Sequence, residues 1–121
     1  MKLSNLTAIS PVDGRYGYKT EGLRSIFSEY ALIKNRVHVE VCWLKKLATH
    51  SEIKEIPILN TKDRLALEAV SLEFDQKDAL RVKEIEKTTN HDVKAIEYFI
   101  KERISENTAL SKISEFVHFA C

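Results

Sequence analysis

The stretch Thr88-Thr-Asn-His-Asp-Val-Lys-Ala-Ile-Glu-Tyr98 decides the fold of this chain, because a polar cluster without glycine leads directly into a helical pattern. Apolar residues continue that pattern at helical spacing along one stripe: Val93, Ile96, Ile100 and Ile104. Asp92 stands where an N-cap or first-turn acid belongs, so a helix is expected from there to about Ser105. Asn90 and His91 lie beside the start of this helix, where free backbone N–H groups and the helix dipole favour anions.

The same periodicity predicts three further amphipathic helices earlier in the chain. Their expected starts are an N-cap at Ser28, a cap at Thr61 and a capping pair of Asp75 and Asp78. The inward-facing stripes are predicted to be Ile33, Val37, Val41, Leu44 and Ala48 in the first helix, Leu65, Ala69 and Leu72 in the second, and Ala79, Val82 and Ile85 in the third. The first helix carries enough further apolar residues to be covered by neighbours on two sides. Residues 51–60 are expected to form a connection.

The two ends of the chain differ in pattern. Two of the three glycines and one proline fall within residues 1–17, which predicts an extended segment, followed by a short helical turn near residues 21–26. Ser111 is expected to cap a last helix with an apolar stripe that this chain leaves uncovered: Ile113, Phe116 and Val117. The pattern is still intact at Cys121, so the helix is expected to continue beyond it. Composition and periodicity together predict an all-α fold.

Composition limits the classes of function. Hydrophobic residues make up 44% of the chain and charged residues 31%, which is typical of a soluble globular domain. The net charge of +1 gives no general attraction to nucleic acid or to a membrane surface, so any anion recognition must be local. We expect a cytoplasmic protein with reduced cysteines, because no secretory signal or long apolar run is present. The His and Cys residues show no zinc spacing, and no Gly-rich phosphate loop or nucleophile elbow occurs.

Two polar segments carry the candidate binding residues. In Ser10-Pro-Val-Asp-Gly-Arg-Tyr16, a loop stiffened by proline presents Arg15, a planar fork of donors suited to phosphate or carboxylate, and Tyr16, a hydroxyl on a stackable ring. In the second segment, Asn90, His91 and Asp92 stand at the helix start. The plain alternatives are a surface turn whose arginine makes an ordinary salt bridge, and a capping cluster with a solvent-facing histidine.

Taken together, the two segments resemble the substrate-binding signatures of the adenylosuccinate lyases, a family of the fumarase/aspartase superfamily. The first segment matches that family's motif residue for residue, and the resemblance covers essentially the whole chain. It implies the small N-terminal helical domain over residues 1–110 and the truncated start of the central bundle helix over 111–121. Arg15, Tyr16, Asn90, His91 and Asp92 are then implied to contact the substrate.

The resemblance also implies a role for His118, which precedes a substrate-binding run in the family. Without the resemblance, the surrounding residues favour a histidine on a partly apolar face that hydrogen-bonds to a neighbouring group. In this chain we expect its side chain to be exposed. Thr88, Thr89 and Lys94 are weaker candidates.

The activity implied by the resemblance is elimination of fumarate from adenylosuccinate, giving AMP, and from succinylated aminoimidazole carboxamide ribotide. This chemistry needs no cofactor, and the family is homotetrameric. The serine base and the histidine acid of the family belong to sequence beyond Cys121, so no catalytic residue is assigned here and this chain alone is expected to be inactive. Two alternatives stay open: a sister fumarate-releasing lyase of the superfamily, or a non-enzymatic helical interaction module.

Overall fold

The computed structural model describes residues 1–120, and all regular elements within them are helical, which confirms the predicted all-α fold. The α-helices are α1 (Arg24–Phe27), α2 (Glu29–Leu47), α3 (Thr61–Leu72), α4 (Gln76–Thr89), α5 (Asp92–Ile104) and α6 (Thr108–Ser111). Two short 3₁₀ helices span Glu21–Leu23 and Ser114–Phe116. None of the helices formed by residues 1–120 is both long enough and apolar enough to cross a lipid bilayer.

The chain divides into two compact units, residues 1–32 and the helical unit from Ile33 onward. In the first unit, residues 5–19 form consecutive turns and bends, so the predicted extended segment is wrong. Close approach of the backbone explains the difference: a Cβ on Gly14 would lie 2.7 Å from the carbonyl oxygen of Asn5 and 3.0 Å from the Cβ of Ala8. The large apolar side chains of residues 1–27 are all exposed.

The helical unit is built around α5. Three of the four residues of its predicted stripe are buried, with Ile96, Ile100 and Ile104 each at most 1% exposed, whereas Val93 in the first turn is only partly buried. The same helix buries Phe99, whose ring meets the ring of Phe74 edge to face with centroids 5.5 Å apart. Burial of such aromatic pairs contributes beyond the area removed from water. The α5 helix is therefore fixed firmly in the core, and its N-terminus is a rigid position for side chains.

Most of the helices begin where the capping residues in the sequence predicted. Ser28 caps α2 as predicted, since its Oγ accepts a hydrogen bond from the backbone N–H of Ala31 at 3.2 Å. Asp75 and Asp78 form the predicted capping box at the start of α4. The cap of α3 is Asn60 instead of Thr61, because the Asn60 side chain accepts from the N–H of Asp63 at 2.8 Å.

The predicted inward face is correct for α2 and α4 and wrong for α3. In α2 the predicted stripe is buried, although Val39 on the opposite side is 62% exposed, so residues 1–120 do not cover α2 on two sides. In α3 the predicted residues Leu65 and Leu72 are 56% and 73% exposed, whereas Leu67 and Val70 are buried. The helix has two apolar stripes, and the one that continues towards Phe74 faces the core.

The α-helix predicted to begin at Ser111 does not form in the described residues. Ser111 ends α6, a short 3₁₀ helix follows, and His118 and Ala120 have positive φ angles of 60° and 59°. The expectation of an uncovered apolar stripe is also wrong, because Ile113 and Val117 are 1% and 3% exposed. Burying these two side chains bends the segment back onto the helical unit. The domain boundary at residues 110–111 concerns a longer protein and stays a prediction.

Candidate functional site

The connection between α4 and α5 consists of only two residues, Asn90 and His91. Asn90 adopts the left-handed conformation, with φ 50° and ψ 33°, and its backbone N–H donates to the carbonyl of Glu86 at 2.8 Å. Asparagine tolerates this conformation better than most residues because its short polar side chain bonds locally. His91 is extended, with φ −151°. The chain thus reverses at once, and the two candidate side chains are held by the ends of two helices.

His91 is the N-cap of α5. Its Nδ1 accepts a hydrogen bond from the backbone N–H of Lys94 at 3.0 Å, so Nδ1 carries the lone pair and Nε2 carries the proton. The side chain is 63% exposed. The Nε2–H of this exposed ring is therefore available as a donor at the start of the helix, which is a suitable arrangement for an anionic oxygen. This capping role and a ligand-binding role are compatible, because they use different ring nitrogens.

Asp92 is the first-turn acid of α5, one of the two positions that the sequence allowed. Its Oδ2 lies 2.5 Å from Nη1 of Arg36 on α2, and its Oδ1 accepts from the N–H of Val93 at 2.9 Å. The guanidinium of Arg36, followed by the backbone bond, holds the pKa of Asp92 below its usual range. Asp92 is therefore a fixed anion, and a guanidinium with five N–H donors stands beside it.

His118 is partly buried and paired, so the expected exposed side chain is wrong. Its Nδ1 lies 2.7 Å from Oε1 of Glu40 on α2, and the two side chains are 27% and 11% exposed. The next residue is held by the same helix, because Nε1 of Trp43 donates to the carbonyl of Phe119 at 2.8 Å. Val117, the residue before His118, is buried. The segment that carries His118 is thus fixed in the helical unit.

The face of α2 that bears Arg36 and Glu40 brings two candidates together. These residues are one helical turn apart, about 6 Å along the axis. Through them, Asp92 and His118 are bound to neighbouring turns of the same helix. Neither α2 residue was singled out from the sequence. The available signal was Glu40, a carboxylate among the apolar residues of the buried stripe.

The remaining predicted residues lie in the first unit. Residues 10–16 form a tight turn in which the N–H of Ser10 donates to Oδ1 of Asp13 at 3.0 Å, and the N–H of Tyr16 donates to the carbonyl of Pro11 at 2.8 Å. The polar residues of the motif thus build the turn, while Arg15 and Tyr16 are exposed. The guanidinium of Arg15 lies over the Tyr16 ring, 4.6 Å from its centroid. Convergence of this turn with His91 stays a prediction.

The three weaker candidates, Thr88, Thr89 and Lys94, take no part in the pairs formed by Asp92 and His118. Lys94 donates to Oε2 of Glu97 at 2.7 Å, which makes it part of an ion pair within α5. Thr88 and Thr89 line an open cleft of about 770 Å³ between α4 and α5. Its lining mixes both signs of charge and includes none of the six principal candidates, so we do not place the substrate there.

Comparison with known proteins places the chain in a family. Residues 14–121 match the model of a family described as Lyase, so the chain belongs to that family of lyases. Its relatives carry a more particular name. Proteins named adenylosuccinate lyase are 58% identical in Escherichia coli strain K12, 56% in Vibrio cholerae serotype O1 and 46% in Legionella pneumophila strain Philadelphia 1, each over all 121 residues. The chain spans about a quarter of the length of these curated relatives, 26% in each.

Proposed function

We propose that this chain is the N-terminal part of an adenylosuccinate lyase, which eliminates fumarate from adenylosuccinate and from succinylated aminoimidazole carboxamide ribotide. The observation that carries the proposal is the 58% identity to the Escherichia coli relative of that name over all 121 residues. Both candidate segments lie within this span. The arrangement around α5 supports it, because the Nε2–H of an exposed ring at a helix N-terminus suits a substrate rich in carboxylate and phosphate groups.

The contribution of this chain to the reaction is binding. Elimination of fumarate requires removal of a proton beside a carboxylate and protonation of the departing nitrogen. The groups that do this are proposed to lie in sequence outside the chain. Donors fixed around an anionic substrate lower the barrier only if they are already in place when negative charge develops. His91 is such a donor, because the hydrogen bond from the N–H of Lys94 to its Nδ1 fixes the ring at the start of α5.

Each candidate has a proposed role that follows from its surroundings. Arg15 offers a guanidinium fork to the phosphate and Tyr16 offers its ring and hydroxyl to the nucleotide. Asn90 offers its amide and His91 its Nε2–H. Asp92 is proposed to contact the substrate as well, and its short ion pair holds Arg36 beside it. His118 contacts the substrate through Nε2, the ring nitrogen that Glu40 does not occupy.

The wider organisation is also a proposal. We place the whole enzyme in the cytoplasm as a homotetramer without a cofactor, acting on a small nucleotide substrate. The segment from about residue 111 would enter the central helical bundle, and residues 1–110 would form the N-terminal domain.

The test is fumarate release by the full-length protein and by the 121-residue chain, each incubated separately with adenylosuccinate and with argininosuccinate. We expect the full-length protein to release fumarate from adenylosuccinate only, and the short chain to release none. Preference for argininosuccinate would favour the sister lyase instead. Loss of activity in a full-length Arg15→Ala variant that unfolds at the same temperature as the parent would support the assigned role of the turn.

A further inference from the structure

Glu40 is an unusual residue for its position on α2. It lies on the buried stripe of the helix and is 9% exposed as a residue. One carboxylate oxygen, Oε1, is bound to His118, whereas Oε2 is buried and makes no hydrogen bond within residues 1–120. A buried oxygen without a partner is unfavourable, and an apolar side chain would fill such a position with less desolvation. Packing alone therefore gives no reason for a glutamate here.

The partner of Glu40 is equally constrained. His118 has a φ of 60°, a left-handed conformation that is costly for a residue with a Cβ and persists only when its surroundings hold it. Three contacts do so: the Glu40 bond itself, the bond from Trp43 to the next carbonyl, and burial of Val117. Two of the three come from one face of α2. The helix thus fixes both the backbone and the ring of this histidine.

The bond to Glu40 also determines which ring nitrogen is free. An ionised carboxylate has no proton to give, so Nδ1 of His118 must be the donor. In the neutral ring, Nε2 then carries the lone pair. His91 has the opposite arrangement, since its Nδ1 accepts from the N–H of Lys94. The two imidazoles therefore present different groups: a donor at Nε2 of His91 and an acceptor at Nε2 of His118.

We propose that Glu40 is a positioning residue for His118, which it holds in the Nδ1–H form so that Nε2 accepts a hydrogen bond from a hydroxyl or N–H group of the substrate. The contact with a substrate rests on the proposed function. The tautomer of His118 does not, because it follows from the Glu40 bond within this chain. Glu40 touches only His118 in this scheme and is not a catalytic residue.

The first experiment reads the tautomer directly. In the 121-residue chain labelled with nitrogen-15, the imidazole shifts of His118 should show a protonated Nδ1 and an unprotonated Nε2 at pH above 7.5. The Glu40→Gln variant should lose this preference while its amide spectrum stays that of the folded chain. A wild-type spectrum with the proton on Nε2 would overturn the inference, whether or not the protein is a lyase.

The second experiment is a double-mutant cycle in the full-length enzyme. Glu40→Gln and His118→Asn should each lower kcat/KM by about 10-fold or more, and Glu40→Gln should have no further effect in the His118→Asn background. Glu55→Gln, on the exposed connection, is the control for removing a carboxylate. Additive losses would contradict the inference. Absence of lyase activity in the wild type would instead refute the proposed function and leave the tautomer result standing.

Discussion

His91 and His118 both bind the rest of the protein through Nδ1, but in opposite senses. His91 accepts from a backbone N–H of its own helix, and His118 donates to a carboxylate 78 residues away. The first bond is local and follows from the position of His91 at the helix start. The second depends on tertiary structure and was not visible in the sequence. A histidine whose role depends on its tautomer thus needs the structure before its chemistry can be assigned.

Substitution of His91 should separate its capping role from its binding role. We expect His91→Ala to lower the free energy of unfolding of the chain by about 1 kcal/mol, because the N–H of Lys94 loses its partner. His91→Asn should keep most of that stability, since asparagine is a good N-cap. Both variants should lower kcat/KM in the full-length enzyme. Chemical denaturation measures the first effect, and unimpaired turnover in the folded His91→Asn variant would exclude a binding role.

Glu97 gives the chain a specific sensitivity to acid. Burial raises the pKa of Glu97, but hydrogen bonds from Lys94 and Lys101 outweigh burial and hold it below its usual value of 4.5. A depressed pKa stabilises the folded state above the unfolded value and loses that contribution as the pH falls through the folded value. We expect the free energy of unfolding to decline below about pH 4.5. Glu97→Gln should flatten this decline, whereas Glu55→Gln should not.

At the scale of the helix, α3 illustrates where periodicity is ambiguous. Leu65 and Leu72 lie seven residues apart and form one apolar stripe, while Leu67 and Val70 form another that leads to Phe74. Either stripe satisfies the helical period. Only packing against α5 decides between them, and the core lies on the side of Phe74, whose ring meets Phe99.

Two alanine substitutions in α3 test which stripe carries the stability. We expect Leu67→Ala to cost about 2–5 kcal/mol, because the side chain is completely buried and its loss leaves a cavity. Leu72→Ala, with the same chemical change on the 73% exposed stripe, should stay within about 0.5 kcal/mol of the parent. Thermal unfolding of the two variants in parallel provides the comparison. Equal losses would mean that the exposed stripe is covered in solution.

Elements with strong local signals were predictable from the sequence. The capping box of α4, the serine cap of α2 and the stripe of α5 are all present, because each depends on residues within a few positions of one another. The segment after Ser111 was not predictable. Its spacing is helical, but burial of Ile113 and Val117 and the bonds from α2 to His118 and Phe119 impose another path.

The same division applies to the candidate site. The positions of Asn90, His91 and Asp92 at a helix start follow from sequence alone. Arg36, the partner of Asp92, is 56 residues away from it in sequence and could not be found by spacing.

At the scale of the whole molecule, the two units differ in what stabilises them. Residues 1–32 are held by hydrogen-bonded turns, and Ala31 is their only buried apolar residue. The unit from Ile33 onward contains the other buried apolar side chains of the described chain. Segments with few buried apolar contacts open at low free energy.

Hydrogen exchange of the 121-residue chain should reflect this difference. We expect the amides of residues 1–27 to exchange by local opening, and those of α5 to exchange only by unfolding of the helical unit. Exchange followed by mass spectrometry at neutral pH distinguishes the two groups. Equal protection of both units would show that the apolar side chains of residues 1–27 are covered in solution.

The two-residue connection at Asn90 and His91 has a consequence for the order in which the molecule folds. The helices α4 and α5 are neighbours in sequence, so pairing them closes a very short loop and costs little chain entropy. The bonds from α2 to Asp92 and His118 close loops of 56 and 78 residues. We therefore expect the α4–α5 hairpin to form early and α2 to dock onto it later. The connection at Asn90 and His91 would then exist as a preformed nucleus before Arg36 arrives to pair with Asp92 and Glu40 arrives to pair with His118.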